Sequence, residues 1–196
     1  GRKAAILEPL EQTRIQAGVP DLWLLFAPVK RQKTDLMVEK ATELGVARLC
    51  PVSTARTQSE RVRIDRFRTI TKEAAEQTER LDLPEIDELE RLDRVLDGWD
   101  PMRRLIYCDE AGDEAGEPWG GARGRGQPMA AALAGLEAGP AAILIGPEGG
   151  FSDAERTRLR DHDFVTPVTL GPRILRAETA AMAALVLWQS VHGDWR

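Results

Sequence analysis

The sequence contains few of the residues that build metal centres and disulfide-bonded folds. Its 196 residues include two cysteines and two histidines. Cys50 and Cys108 stand far apart, and neither has a partner at the spacing of a zinc site. Each falls in an apolar segment that predicts a β-strand, so we expect reduced thiols in the core and no bound metal. This cysteine usage is typical of a cytoplasmic protein.

Long apolar runs are also missing. A helix that spans a bilayer needs roughly 20 consecutive apolar residues, and no run in this chain approaches that length. Hydrophobic residues make up 42% of the chain and charged residues 30%, which is typical of an ordinary globular domain. We therefore expect no association with a membrane.

Acidic residues outnumber basic ones, but the two charge signs are segregated along the chain. The formal net charge is −5. Residues 30–72 hold eleven Lys or Arg against five Asp or Glu, whereas residues 73–118 hold five against sixteen. An acidic chain can thus present a basic surface to the phosphates of a nucleic acid. The alternative interpretation, two solvated helix surfaces of opposite charge, fits the pattern equally well.

Apolar runs that predict strands alternate with segments of helical periodicity. The predicted strands are 22–27, 46–52, 105–108, 142–145 and 164–170, and the predicted helices are 33–45, 64–80, 88–97, 129–136 and 177–192. Thr34 is a plausible N-cap and Gly45 a plausible residue after the end of the first helix. Pro167 predicts an irregular or edge strand. The alternation predicts an α/β fold with a largely parallel sheet, and the glycine-rich stretch 111–128 predicts a mobile connection or an insertion.

Two glycine turns follow predicted strands near the carboxyl end of the chain. The first runs from Gly146 to Gly150, and the second contains Gly171. Ser152 and Glu155 then form a capping-box pattern that predicts a helix start. Ligands of parallel α/β sheets lie beyond the carboxyl ends of the strands, where both turns are expected. A plain turn before a capped helix is the alternative interpretation of the first.

The composition of these turns argues against a phosphate and in favour of a cationic or neutral ligand. Neither a P-loop nor a dinucleotide-binding glycine pattern is present, and a carboxylate at Glu148 would compete with a phosphate. S-adenosylmethionine carries a sulfonium, whose positive charge suits the carboxylates at Asp109, Glu148 and Glu178. It also carries an adenine, which can approach the backbone closely where the residue is glycine. Arg173 and Arg176 could contact a substrate phosphate or base carbonyl, or could instead pair with Glu178 or another nearby acidic residue.

The two turns and their surroundings resemble a known enzyme family. Segments 146–152 and 170–180, supported by segments 40–46 and 73–80, are similar to motifs of the ribosomal RNA small subunit methyltransferase E family, in the same order. The resemblance runs from about Leu22 to the end of the chain. The family belongs to the SPOUT class of methyltransferases.

The resemblance implies a fold, a reaction and partners. The fold is a SPOUT-type, mostly parallel α/β sheet flanked by helices, with a trefoil knot near the C-terminus. The reaction is transfer of a methyl group from S-adenosylmethionine to N3 of uridine 1498 in the 16S rRNA of the small ribosomal subunit. A cytoplasmic homodimer is implied. Residues 1–14 would be the remnant of an N-terminal RNA-binding β-barrel domain and its linker, and residues 15–196 the methyltransferase domain.

Candidate site residues follow from the motifs and from the chemistry. The cofactor-binding candidates are Gly146, Glu148, Gly149, Gly150, Leu170, Gly171, Ile174, Leu175 and Ala180. The catalytic candidates are Arg176, Glu178 and Glu148. The RNA-binding candidates are Lys30, Arg31, Lys33, Arg56, Arg61 and Arg173. Arg176 would stabilise negative charge on the base, and Glu148, Glu178 or a water molecule would accept its proton.

Two other functions are compatible with the same residues. One is an RNA-binding scaffold that keeps the fold without catalysis. The other is a nucleotidyltransferase, against which the lack of a carboxylate cluster beside a phosphate loop argues.

Overall fold

The computed structural model describes residues 6–13, 15–16, 18–59, 61–109 and 126–195. Most of the predicted connection 111–128 and part of the predicted remnant 1–14 lie outside these ranges. Residues 6–13 are exposed and form neither helix nor strand. Within the described ranges, no helix combines the length and the apolar character that crossing a membrane requires.

The described residues form eight strands and six helices. The strands are β1 (Leu22–Phe26), β2 (Arg48–Ser53), β3 (Glu85–Ile86), β4 (Glu90–Arg91), β5 (Arg104–Cys108), β6 (Gln127–Pro128), β7 (Ala141–Ile145) and β8 (Val165–Thr169). The helices are α1 (Arg31–Glu43), α2 (Ile64–Gln77), α3 (Leu92–Asp97), α4 (Met129–Ala134), α5 (Asp153–Arg160) and α6 (Ala177–Val191).

The sheet has the order β3-β2-β1-β7-β5-β8-β6, with β4 paired to β2, and every pairing is parallel. The central strand β7 places Ile143 opposite Leu24 of β1 and Ile106 of β5. All five residues of β7 are buried, as expected for a parallel strand that is covered on both faces. The predicted α/β architecture with a mostly parallel sheet is confirmed.

Helices cover both faces of the sheet. On one face, α1, α2, α4 and α6 pack around a core that includes Phe26, Met37, Ile143 and Trp188. On the other face, α3 and α5 cover a smaller core around Tyr107 and Phe151. Both cysteines are thiols rather than halves of a disulfide, and they lie in β2 and β5, where the sequence predicts strands.

The first helix begins earlier than predicted. α1 starts at Arg31, with Lys30 as its N-cap residue. The predicted N-cap, Thr34, is wrong because its hydroxyl is buried inside the first turn, where it donates to the Val29 carbonyl at 3.1 Å. The predicted end is confirmed, since Gly45 adopts a φ of 77° directly after the C-cap residue.

Two further segments differ from prediction. The segment 88–97 is helical only from Leu92, because Glu90 and Arg91 form β4 and pair with β2. Pro167 does not mark an edge, since β8 lies between β5 and β6. The N–H groups of Leu105 and Asp109 donate to the carbonyls of Phe164 and Val168, so alternate residues along this segment face β5. Pro167 faces the opposite side, where β6 begins only opposite Val168, so its missing N–H is tolerated.

Candidate functional site

A cavity of about 260 Å³ lies where β5, β7 and β8 end, at the carboxyl edge of the sheet. It is lined by Cys108, Asp109, Ile145, Gly146, Pro147, Glu148, Val168, Thr169, Leu170, Gly171, Arg173, Ile174, Leu175, Arg176, Ala177 and Ala180. The two glycine turns predicted from the sequence therefore meet at one site. Adjacent parallel strands bring segments together there that are distant in the chain.

Glycine is required at defined positions of the turns. A Cβ on Gly146 would lie 2.5 Å from the Phe151 ring, so no larger residue fits directly after β7. Gly150 and Gly171 adopt φ values of 66° and 116°, which favour glycine over all other residues. Gly149 differs, because an added Cβ would meet only the Arg56 side chain at an ordinary 3.5 Å.

The predicted capping box is present and fixes the first turn. The Ser152 hydroxyl accepts from the backbone N–H of Glu155, and the Glu155 carboxylate accepts from the N–H of Ser152 at 2.8 Å. The same carboxylate accepts from the N–H of Ala55 at 2.7 Å, and Arg56 donates to the Gly149 carbonyl at 2.8 Å. The loop after β2 is thereby tied to the loop after β7.

Asp109 reaches the cavity but is already neutralised by two arginines. Asp109 is buried, with 2% of its surface exposed. Its carboxylate forms ion pairs with Arg156 at 3.2 Å and with Arg160 at 2.7 Å. Both arginines come from α5, so this buried cluster joins the end of β5 to that helix. A carboxylate with two cationic partners is a poor additional partner for a sulfonium.

Glu148 lines the cavity and faces the basic start of α1. It forms an ion pair with Lys33. The hydrogen bond from Lys33 lowers the pKa of the Glu148 carboxyl, and the positive charges of Lys33, Lys30 and Arg176 act in the same direction. Glu148 is therefore ionised at neutral pH.

Glu178 is buried in the first turn of α6, with 8% of its surface exposed. It does not line the cavity. One of its carboxylate oxygens has no hydrogen-bond partner among the described residues. Its negative charge interacts favourably with the N-terminal end of the helix dipole.

Arg173 and Arg176 both line the cavity, on the segment that leads into α6. Across the described ranges, neither forms an ion pair with Glu178 or with another acidic residue, so the alternative interpretation is wrong. Arg176 is the N-cap residue of α6, and among the residues that the structure describes no side chain makes a capping hydrogen bond there. The first N–H groups of α6 therefore remain available to an acceptor at the cavity.

The structure gathers most of the predicted cofactor and catalytic residues at this cavity. Those that line it are Gly146, Glu148, Leu170, Gly171, Ile174, Leu175, Arg176 and Ala180. Those that do not are Gly149, Gly150 and Glu178. The residue set proposed from the sequence omitted strand-end residues such as Ile145, Val168 and Thr169. Only the sheet order could have identified them, since their types carry no chemical signal.

Two of the predicted RNA-binding residues contact the turn after β7: Lys33 pairs with Glu148, and Arg56 donates to the Gly149 carbonyl. Lys30, Arg31 and Lys33 occupy the start of α1, and Arg56 and Arg61 follow β2. Arg173 lines the cavity itself. Searching the described ranges finds no group of three or more His, Cys, Asp or Glu that could hold a metal ion.

Comparison with known proteins assigns the family. The sequence profile of the RNA methyltransferase domain matches residues 17–189. The chain belongs to the RNA methyltransferase domain family. Ribosomal RNA small subunit methyltransferase E of Bacillus subtilis is 31% identical over 163 residues, which cover 80% of this chain and 60% of the relative. The resemblance identified from the sequence motifs is thereby confirmed.

Two solved structures share both the fold and recognisable sequence. A methyltransferase of Legionella pneumophila, solved with the cofactor SAM bound, has 30% identity and a TM-score of 0.71. Ribosomal RNA small subunit methyltransferase E of Neisseria gonorrhoeae, bound to S-adenosyl methionine, has 25% identity and a TM-score of 0.73. Each alignment covers 92% of this chain and 70% of the other. The chain thus spans less than the full length of these relatives.

Proposed function

We propose that this chain transfers a methyl group from S-adenosylmethionine to N3 of a uridine in 16S rRNA of the small ribosomal subunit, at position 1498 in ribosomal numbering. The observation that carries the proposal is the single cavity at which both family motifs meet. The names of the similar proteins support methylation of small-subunit ribosomal RNA with S-adenosyl methionine as donor, and the N3 atom and the position are what the family resemblance implies.

The residues of the cavity fit the donor. Its volume is close to the lower end of small-molecule sites, roughly 300 Å³, and it opens to solvent. Leu170, Ile174 and Leu175 offer apolar surface for an adenine, and strand-end carbonyls offer acceptors for its amino group. The uncapped start of α6 offers N–H donors to the carboxylate of the amino-acid part.

S-adenosylmethionine, when bound, supplies an electrophilic methyl group and leaves as S-adenosylhomocysteine. The uracil N3 lies on the Watson–Crick edge, so an unpaired or flipped uridine must enter the open side of the cavity. Loss of the N3 proton leaves negative charge on the flanking carbonyl oxygens. Arg176 lines the cavity and supplies the positive charge that stabilises it.

Glu148 is the better candidate for the proton acceptor. It lines the cavity and is ionised, whereas Glu178 is buried away from the lining. The N3 proton passes to the Glu148 carboxylate as N3 forms its bond to the methyl carbon and the carbon–sulfur bond breaks. Glu178 stabilises the start of α6 that carries Arg176 into place.

The implied homodimer and knot have local support. Val186 is 39% exposed on α6, beside the partly buried Met182, Ala183 and Leu187, which gives that helix an apolar outer side. Such a side suits contact with a second copy. After β8 the chain returns through α6 to pack against α1 and β7, a path compatible with a knotted C-terminal segment. A cytoplasmic location follows from the ribosomal substrate.

Mass spectrometry of 16S rRNA tests the proposal. Nuclease digests from cells with and without the gene are compared, and we expect 3-methyluridine to disappear without it. Purified protein and S-adenosylmethionine should restore the modification on rRNA from the deletion strain. Donor binding in calorimetry without any RNA methylation would instead support the inactive scaffold, and a methyl group on another atom would refute the N3 assignment.

A further inference from the structure

A second cavity, of about 170 Å³, lies between the start of α1 and the start of α2. It is lined by Pro28, Val29, Arg31, Thr34, Asp35, Ser59, Arg61, Val62, Arg63, Arg66 and Phe67. We propose that this cavity is a nucleotide subsite, which binds the phosphate and sugar of an RNA residue that flanks the methylated uridine. The proposal rests on the proposed function, because RNA is the substrate assigned there.

The charges of the cavity favour an anion. It contains four arginines and one carboxylate, Asp35. Arg66 binds that carboxylate through both of its oxygens, at 2.9 and 2.6 Å, and Arg31 lies 3.9 Å from it. The single negative charge is therefore already matched. Arg61 and Arg63 are exposed, and neither has an ion-pair partner in the part of the chain that the structure describes.

The remaining surface of the cavity is apolar. Pro28 and Phe67 are buried, and Val29 and Val62 are partly buried. Guanidinium groups bind phosphate oxygens through paired hydrogen bonds, while an apolar surface accommodates the carbon side of a sugar or base. A nucleotide unit meets both requirements, whereas an inorganic anion would use only the arginines.

The first turn of α1 separates this cavity from the candidate methyl-transfer cavity. Lys33 reaches from that turn to Glu148, which lines the methyl-transfer cavity. Arg31 and Thr34, on the same turn, line the second cavity. A single RNA strand whose uridine enters the first cavity can therefore cross this basic turn and place a flanking nucleotide in the second. Phosphate contacts of this kind fix the register of the bound strand.

The test measures binding of a fluorescein-labelled oligouridylate dodecamer by the Arg63→Ala variant. We expect affinity to fall roughly tenfold at low salt, and the slope of log K against log salt to decrease by about 1, as for loss of one phosphate contact. Arg68→Ala is the matched control. Arg68 lies in the second turn of α2, whose N-cap residue is Arg63, and it is outside the cavity and pairs with Asp65. Each variant removes one positive charge. We expect less than a twofold effect from it.

Three results would overturn the subsite. Equal weakening by both variants would mean diffuse attraction, and no weakening by Arg63→Ala would remove the cavity from the RNA path. Binding of an octaglutamate peptide that depends on Arg63, with RNA binding unchanged in the variant, would indicate an acidic protein partner. Calorimetry with S-adenosylmethionine and the 3-methyluridine assay are run separately. A failure of methylation therefore does not decide whether the subsite exists.

Discussion

Lys33 of α1 forms an ion pair with Glu148 in the turn after β7, and so joins the predicted RNA-binding surface to the candidate methyl-transfer cavity. The two side chains are 24% and 44% exposed, so water screens the pair and its contribution to stability is small. Its importance is electrostatic. Lys33 lowers the pKa of the Glu148 carboxyl, and we expect a phosphate of bound RNA to compete with Glu148 for Lys33.

Replacing Lys33 should change the titration of Glu148. The Lys33 hydrogen bond is the largest cause that lowers the pKa of this carboxyl. In Lys33→Met, we expect the Glu148 pKa to rise toward its ordinary value. Carbon-13 NMR of the Glu148 carboxyl measures this titration. Because the pKa of Glu148 is lower in the folded than in the unfolded protein, its ionised form stabilises the fold at pH values above the unfolded-state pKa. That stabilisation is lost as the pH falls through the folded-state pKa. The variant should therefore lose less stability on acidification than the wild type.

Lys40→Met is the control for this titration, because Lys40 pairs with Glu39 and Glu43 at the other end of α1. An unchanged Glu148 titration in Lys33→Met would show that the ion pair does not form in solution.

Gly146 and Gly149 should respond differently to alanine. In Gly146→Ala, the new Cβ would lie 2.5 Å from the Phe151 ring, so the turn or the ring must move. Overpacking of this kind costs about 1–3 kcal/mol, and donor affinity should fall with the distorted turn. In Gly149→Ala the Cβ meets Arg56 at 3.5 Å, and we expect a change within about 0.5 kcal/mol. Urea unfolding measures the stability of each variant, and calorimetry measures its affinity for the donor. Equal losses of stability in the two variants would argue against the close contact between position 146 and the Phe151 ring.

Breaking the Asp109 cluster should destabilise the protein strongly. Asp109→Asn leaves Arg156 and Arg160 without their shared buried carboxylate. Removing one partner from a buried ion pair costs about 3–5 kcal/mol. Asp65→Asn is the control, since Asp65 is 96% exposed in its side chain and pairs only at the surface. If denaturant midpoints of the two variants coincide, the cluster is not a structural support of the cavity.

Arg176→Ala should reduce methyl transfer without reducing donor binding. Removing one group that stabilises developing negative charge lowers the single-turnover rate roughly a hundredfold or more. Arg173→Ala is the matched control, because Arg173 lines the same cavity on the same segment. We expect it to weaken RNA binding with a smaller effect on the bound-state rate. Wild-type turnover in Arg176→Ala would remove this arginine from the mechanism.

The pattern of the sequence predicts the layers of the fold and the meeting of the two glycine turns at one cavity, but not every element boundary. The apolar run at 142–145 and the capping box at Ser152 are local signals, and both are confirmed. The start of α1 and the strand at Glu90 depend on tertiary contacts. The Thr34 hydroxyl donates to the Val29 carbonyl inside the first turn of α1. Glu90 is in a strand because it pairs with Val52 of β2. Periodicity contains neither piece of information.

The candidate site shows the same division. The motif residues meet because β5, β7 and β8 are neighbours, an order that chain sequence does not reveal. Glu178 matches a charged motif position, yet helical geometry turns it into the protein and away from the cavity lining. Asp109 stands at a strand end as expected, but its arginine partners on α5 lie about fifty residues further along the chain.

The most direct test of the account is a crystal structure of the protein grown with saturating S-adenosylmethionine. We expect the donor in the cavity between the ends of β5, β7 and β8, with its adenine against Leu170 and its methyl group open to the side of Arg176. A donor bound at another place on the chain, or an empty cavity under these conditions, would contradict the assignment.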